Sequence, residues 1–132
     1  MKNNEITNAI IQERFGKDSL IALATVDGDI PAVRTVNTVY IDGAFYVVTY
    51  ALSGKMKQIA KNPTVAICGD WFTAHGRGEN LGWFSRPENK AIAAKLNNAF
   101  AAWINNGHNN FADENTIILR LVNYSGKTEK AT

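Results

Sequence analysis

Apolar and polar residues alternate along much of this chain, and the alternation breaks where the spacing turns helical. Ile6, Ala9, Ile10 and Phe15 recur at roughly helical intervals, and Gly16 then stops the pattern. Residues 19–26 form a short apolar run suited to a strand. Asp27-Gly28 follows, a dipeptide favoured in two-residue hairpin turns because both positions need positive φ. A long strand-like stretch covers residues 30–41, Asp42-Gly43 makes a second turn, and residues 44–50 are rich in Val, Phe, Tyr and Thr. These signals predict a meander of three antiparallel strands.

Beyond the meander, helices alternate with further strands. Residues 55–62 place Met56, Ile59 and Ala60 on one side of a short helix that Pro63 ends. Residues 64–68 read as a strand, and 71–81 continue in β structure after a break at Gly69-Asp70. Ser85 and Glu88 have the spacing of a capping box, ahead of Ile92, Leu96, Ala99, Phe100 and Trp103 at helical intervals. Gly107 closes that helix. Residues 116–122 form a last strand, and 125–132 a polar tail. About six strands and three modest helices, with the hairpins first, predict a mainly β (α+β) fold built on an antiparallel barrel or sheet. A doubly wound fold would alternate strand and helix from the start.

Composition narrows the function classes. The 132 residues are 45% hydrophobic and 20% charged, ordinary for one globular domain spanning 1–132. A net charge of +2 provides no field to gather nucleic acid or an anionic membrane. No apolar run approaches a membrane span, and the polar N-terminus does not resemble a signal core, so a soluble cytoplasmic protein is expected. The single cysteine, Cys68, cannot pair internally and is expected to be a small core residue. His75 and His108 stand far apart without companion ligands, so no metal site is expected. Gly54-Lys55 lacks the other residues of a nucleotide loop, and the glycines at 76, 78 and 82 miss the dinucleotide spacing, marking a bulge or tight turn instead.

The second hairpin suggests a binding site. If Asp42 and Gly43 are the turn residues, Val36 faces Thr49 and Arg34 faces Ala51, so Arg34 and Thr49 are diagonal neighbours on one face. Ser53, Gly54 and Lys55 follow at a helix start. An arginine fork, two hydroxyls, a lysine and helix N–H groups suit a phosphate. The competing account is a solvated arginine beside an ordinary loop. Both faces of the hairpin are also half apolar: one carries Val36, Tyr40, Phe45 and Val47, the other Val33, Val39, Ile41, Tyr46 and Val48. The barrel interior covers one, and a helix, ligand or second subunit covers the other.

The run of Val26-Asp27-Gly28, Arg34-Thr35-Val36-Asn37, Val48-Thr49-Tyr50, Ser53-Gly54-Lys55, Gln58-Ile59 and Lys61-Asn62-Pro63 resembles the pyridoxamine 5′-phosphate oxidase-like split-barrel family, in its short general-stress-protein branch. Gly76-Arg77-Gly78-Glu79-Asn80-Leu81 and Phe84-Ser85-Arg86-Pro87 add a second patch of similarity. The resemblance implies a split β-barrel that binds FMN at a homodimer interface and acts as an oxidoreductase on a small-molecule substrate or electron donor. It implies that Arg34 and Lys55 contact the FMN phosphate with Thr49 and Ser53. Thr35, Val36 and Asn37 would lie along the ring system, flanked by Val48 and Thr49, with Trp71 near the cofactor. Gly54 stands where the oxidases carry a second basic residue, and the C-terminal segment that grips substrate in true oxidases is missing, which argues against pyridoxamine-phosphate oxidation. Relatives of this fold bind haem or a deazaflavin instead, and others could hold flavin without turnover.

Overall fold

Two glycine turns fold the first third of the chain into the expected meander. The computed structural model describes residues 2–70, 72–105, 110–123 and 129–130. After helix α1 (Lys2–Phe15) come β1 (Ser19–Asp27), β2 (Ile30–Ile41) and β3 (Ala44–Tyr50). Asp42 and Gly43 have φ of 49° and 88°, the two positive values of a type I′ turn. The first turn differs from expectation by one residue. Asp27 pairs with Ile30, so Gly28 and Asp29 make the turn, with Gly28 at φ 68° in the leading position that a type II′ turn reserves for glycine.

The remaining strands close a barrel. Helix α2 (Gly54–Lys61) and β4 (Thr64–Cys68) are followed by β5 (Phe72–Trp83), helix α3 (Lys90–Ala99) and β6 (Thr116–Asn123). The strand order β4-β1-β2-β3-β6-β5 returns to β4 through a β4–β5 ladder, and every ladder is antiparallel. The fold is the six-stranded antiparallel barrel with flanking helices that the pattern predicts. Part of the expected polar tail forms a two-residue strand, β7 (Glu129–Lys130), on β5 at Phe72 and Thr73. The glycine-rich part of β5 carries the expected irregularity: the β5–β6 register shifts between Asn80 and Trp83, and Gly82 has φ 84°.

Two cores form on opposite sides of the sheet. The interior holds Ile21 and Leu23 of β1, Val36 and Tyr40 of β2, and Phe45 and Val47 of β3, with Ile11 and Phe15 of α1 and Met56 and Ile59 of α2 closing it. Outside, α3 covers Val39, Tyr46 and Ile118 with Ala93 and Leu96, joined by Phe100 just past its end. The chain's own helix thus covers most of the second hairpin face, but not Val33, which is 70% exposed.

Some local expectations are corrected. Among the residues of α1 whose burial is described, Ile11 and Phe15 are buried, Ile10 is half-buried and Ala9 is exposed. The capping box does not form: Ser85 donates to the Phe111 carbonyl and Glu88 pairs with Arg86, leaving a short 3-10 turn at Pro87–Asn89 without a side-chain cap. Helix α3 ends at Ala99, and Phe100 and Ile104 are buried from the turns beyond it. The expected stop at Gly107 lies outside the described residues. Cys68, expected in the core, is exposed, since strand alternation buries Val65 and Ile67 and turns the odd member of the run outward.

The feature that positions the site is where β2 and β3 part. Their ladder holds only three pairs, from Val39–Tyr46 to Ile41–Ala44. Beyond it β2 follows β1 and β3 follows β6. Thr38, fully buried, donates its hydroxyl to the Tyr46 carbonyl at 2.9 Å just where the ladder stops. Val36 therefore pairs with Ile21 and Thr49 with Ile117. The expected facing of Val36 with Thr49, and of Arg34 with Ala51, does not occur.

Candidate functional site

Helix α2 spans the gap between the diverging strands. Ser53 caps its start, accepting from the Met56 amide, and Met56 and Ile59 anchor it in the barrel core. Its polar residues then reach to both sides. Gln58 accepts from the Thr25 hydroxyl of β1 at 2.5 Å and from Arg34 Nη2 of β2 at 3.2 Å. Lys55 donates to the Thr49 hydroxyl of β3 at 2.5 Å. Arg34 also donates from Nη1 to Thr25 at 2.7 Å and to the Leu23 carbonyl at 3.4 Å. Arg34 and Thr49 thus meet one cluster through the helix, not through the hairpin register.

The electrostatics are those of an anion site. Burial lowers the Lys55 pKa, and the neighbouring Arg34 charge lowers it further; burial also lowers that of Arg34. Among the described residues neither cation pairs with a carboxylate, whereas Arg77, Arg86, Lys95 and Arg120 all do. Among the described residues, every acceptor of Arg34 and Lys55 is a neutral oxygen. Two like charges held together without a counter-ion cost free energy that a bound anion would recover. The first amides of α2 point the same way in charge terms, since helix N-termini leave N–H groups unpaired. A Cβ at Gly54 would meet nothing within 4 Å, so there is room beside Lys55 for a ligand. The donor set therefore fits a phosphate group.

The structure brings Arg34, Thr49, Ser53 and Lys55 to this region. It directs other expected side chains elsewhere. Val36 packs in the barrel interior and Val48 beside the α3 core. Asn37 donates to Asp18 at 3.2 Å, and Thr35 is exposed on the outer face. Along residues 34–37 the main chain is what remains for a ligand, because this edge of β2 has no strand partner among the described residues. Trp71 and His108 lie outside the described residues. Thr25 and Gln58 were not singled out as site residues. One signal existed for Thr25, a hydroxyl in the interior register of Ile21 and Leu23.

A second surface lies on the opposite face of these strands. Ala22, Ala24, Val33, Ala66, Cys68, Thr73 and His75 line a shallow, mostly apolar groove on the outer face of β1, β2, β4 and β5. Leu20 and Ile30 are also exposed, at 61% and 66%. His75 is a surface strand residue, and no metal-ligating cluster occurs among the described residues. No described helix is long and apolar enough to cross a membrane.

Comparison with known proteins places this architecture. No curated protein matches the sequence. Among solved structures, the haem storage protein HutZ from Vibrio cholerae superposes with a TM-score of 0.72 at 16% identity, over 92% of this chain and 93% of that one. General Stress Protein 26 from Bacillus anthracis gives 0.66 at 19% identity, over 99% and 100%. An FAD-binding protein from Mesorhizobium loti gives 0.64 at 14% identity, over 94% of each. These likenesses establish a shared fold. The family model for pyridoxamine 5′-phosphate oxidase matches residues 8–124, which include all six barrel strands. This chain belongs to the pyridoxamine 5′-phosphate oxidase family.

Proposed function

We propose that this protein binds FMN and serves as a flavin-dependent oxidoreductase for a small-molecule substrate or electron donor. The observation that carries the reading is the Arg34–Lys55 pair, two half-buried cations without a carboxylate partner among the described residues, at the place where β2 and β3 separate. Arg34, Lys55, Thr49 and Ser53 would hold the phosphate, with the main chain of Thr35, Val36 and Asn37 and the strand at Val48 beside the ring system. Bound FMN supplies hydride or electron transfer, and the protein supplies binding, orientation and exclusion of water. The exposed apolar groove and Val33 support a homodimer in which a second copy covers this face and completes the cofactor site. An exposed thiol in a chain with no second cysteine suits a reducing, cytoplasmic setting.

The test is a fluorescence titration of cofactor-stripped protein with FMN, with riboflavin as the control lacking phosphate. Saturable binding that prefers FMN supports the reading, and turnover with a reduced nicotinamide then separates an enzyme from a flavin-storing or flavin-sensing module. Equal or absent binding of both flavins overturns it, and haem and deazaflavin become the ligands to try.

A further inference from the structure

We propose that Thr25 and Gln58 are positioning residues that fix which edge of the Arg34 guanidinium is presented to a phosphate, and thereby set the preference for FMN over riboflavin. This rests on the flavin reading of the same site. Thr25 is 1% exposed in a strand whose other inward residues, Ile21 and Leu23, are aliphatic. Valine would pack as well there, and a buried hydroxyl costs free energy unless it is bonded. This one is bonded twice: it accepts from Arg34 Nη1 at 2.7 Å and donates to Gln58 Oε1 at 2.5 Å. Gln58 Oε1 in turn accepts from Arg34 Nη2 at 3.2 Å, and the Leu23 carbonyl takes the other Nη1 hydrogen at 3.4 Å.

A guanidinium has five N–H donors in a rigid plane. Three of them are held by these neutral oxygens. The two that remain are Nε–H and the second Nη2–H, which lie side by side on one edge and have no protein acceptor among the described residues. That edge matches two oxygens of a phosphate in a bidentate pair. Because no acceptor in the clamp is charged, Arg34 is oriented without being neutralised. A carboxylate at position 58 would orient it equally well and cancel its charge.

The experiment titrates Thr25→Val, Thr25→Ser, Gln58→Met and Gln58→Glu with FMN and riboflavin, alongside urea unfolding of each. Thr25→Val and Gln58→Met are expected to weaken FMN about tenfold, the scale of one hydrogen bond to a charged group, while riboflavin binding is unchanged. Thr25→Ser is expected to retain FMN affinity, and Gln58→Glu to lose more than Gln58→Met. Parallel loss of both flavins, or equal damage from serine and valine, would mean that Thr25 only supports the fold and would overturn the inference. Unchanged FMN affinity in both Thr25→Val and Gln58→Met would do the same. Where Thr25→Val does not fold, the Gln58 pair reads the same point from the surface of α2. Absence of FMN preference in the wild type is a different result, which removes the phosphate reading itself.

Discussion

Lys55 is held by burial and by the nearby Arg34 charge at a pKa below its ordinary value, and this gives the site a pH dependence of definite sign. A phosphate beside Lys55 favours the charged ammonium, so FMN affinity is full below the lowered value and declines as pH rises through it. Without ligand the effect on stability is opposite: the unfolded chain holds the proton more tightly, so stability increases as pH climbs from the lowered towards the ordinary value. Lys55→Arg, whose guanidinium stays charged, is expected to flatten the alkaline part of an FMN binding profile measured between pH 7 and the alkaline limit of folding. Arg34→Ala is expected to reduce FMN affinity by about ten- to a hundredfold, as loss of a charge-assisted fork implies, and to leave riboflavin affinity nearly intact in the same titration.

At the scale of elements, α2 decides whether the site exists. Gly78 of β5 allows the helix to lie close: a Cβ there would stand 3.0 Å and 3.2 Å from Ile59 side-chain carbons and 3.4 Å from Leu119. Gly78→Ala is expected to displace Ile59, cost about 1–3 kcal/mol in urea unfolding as overpacking does, and weaken FMN by moving Lys55 and Gln58 together. The sequence showed α2 through its apolar spacing and Pro63. It showed the strands through alternation and two glycine turns. Arg34, Thr49, Ser53 and Lys55 were legible as polar groups gathered near one turn and one helix start. The route by which they meet was not, since local register predicted a long β2–β3 ladder that the structure ends after three pairs. Gln58 entered only as part of the resemblance, and no site role for it or for Thr25 was legible, because their contact joins residues 33 apart in sequence and depends on how α2 lies across the barrel. Cys68 was misplaced for a simpler reason, the strand's phase of alternation.

For the whole molecule, the uncovered outer face is the main consequence of packing α3 against only one side of the barrel. Helix α3 covers the β3–β6 half of the barrel, and nothing comparable among the described residues covers Leu20, Ile30 and Val33. Val33→Glu is expected to convert the proposed dimer to a monomer in sedimentation equilibrium. It should change the stability of the isolated subunit by no more than about 0.5 kcal/mol, as surface substitutions do. If the cofactor is shared across this face, the same variant loses FMN affinity as well.

The parting of β2 and β3 has a consequence for the protein's life before it meets a ligand. Residues 30–38 of β2 and the far end of β3 present strand edges to one another without a ladder between them. Unsatisfied edges of this kind are templates on which other chains add as extra strands and begin to aggregate. Helix α2 crosses this gap, and the proposed flat ligand bound beside it would cap what the helix leaves open. The supply of that ligand during synthesis would then act as a chaperone, and ligand-starved chains would be the ones drawn into inclusion bodies.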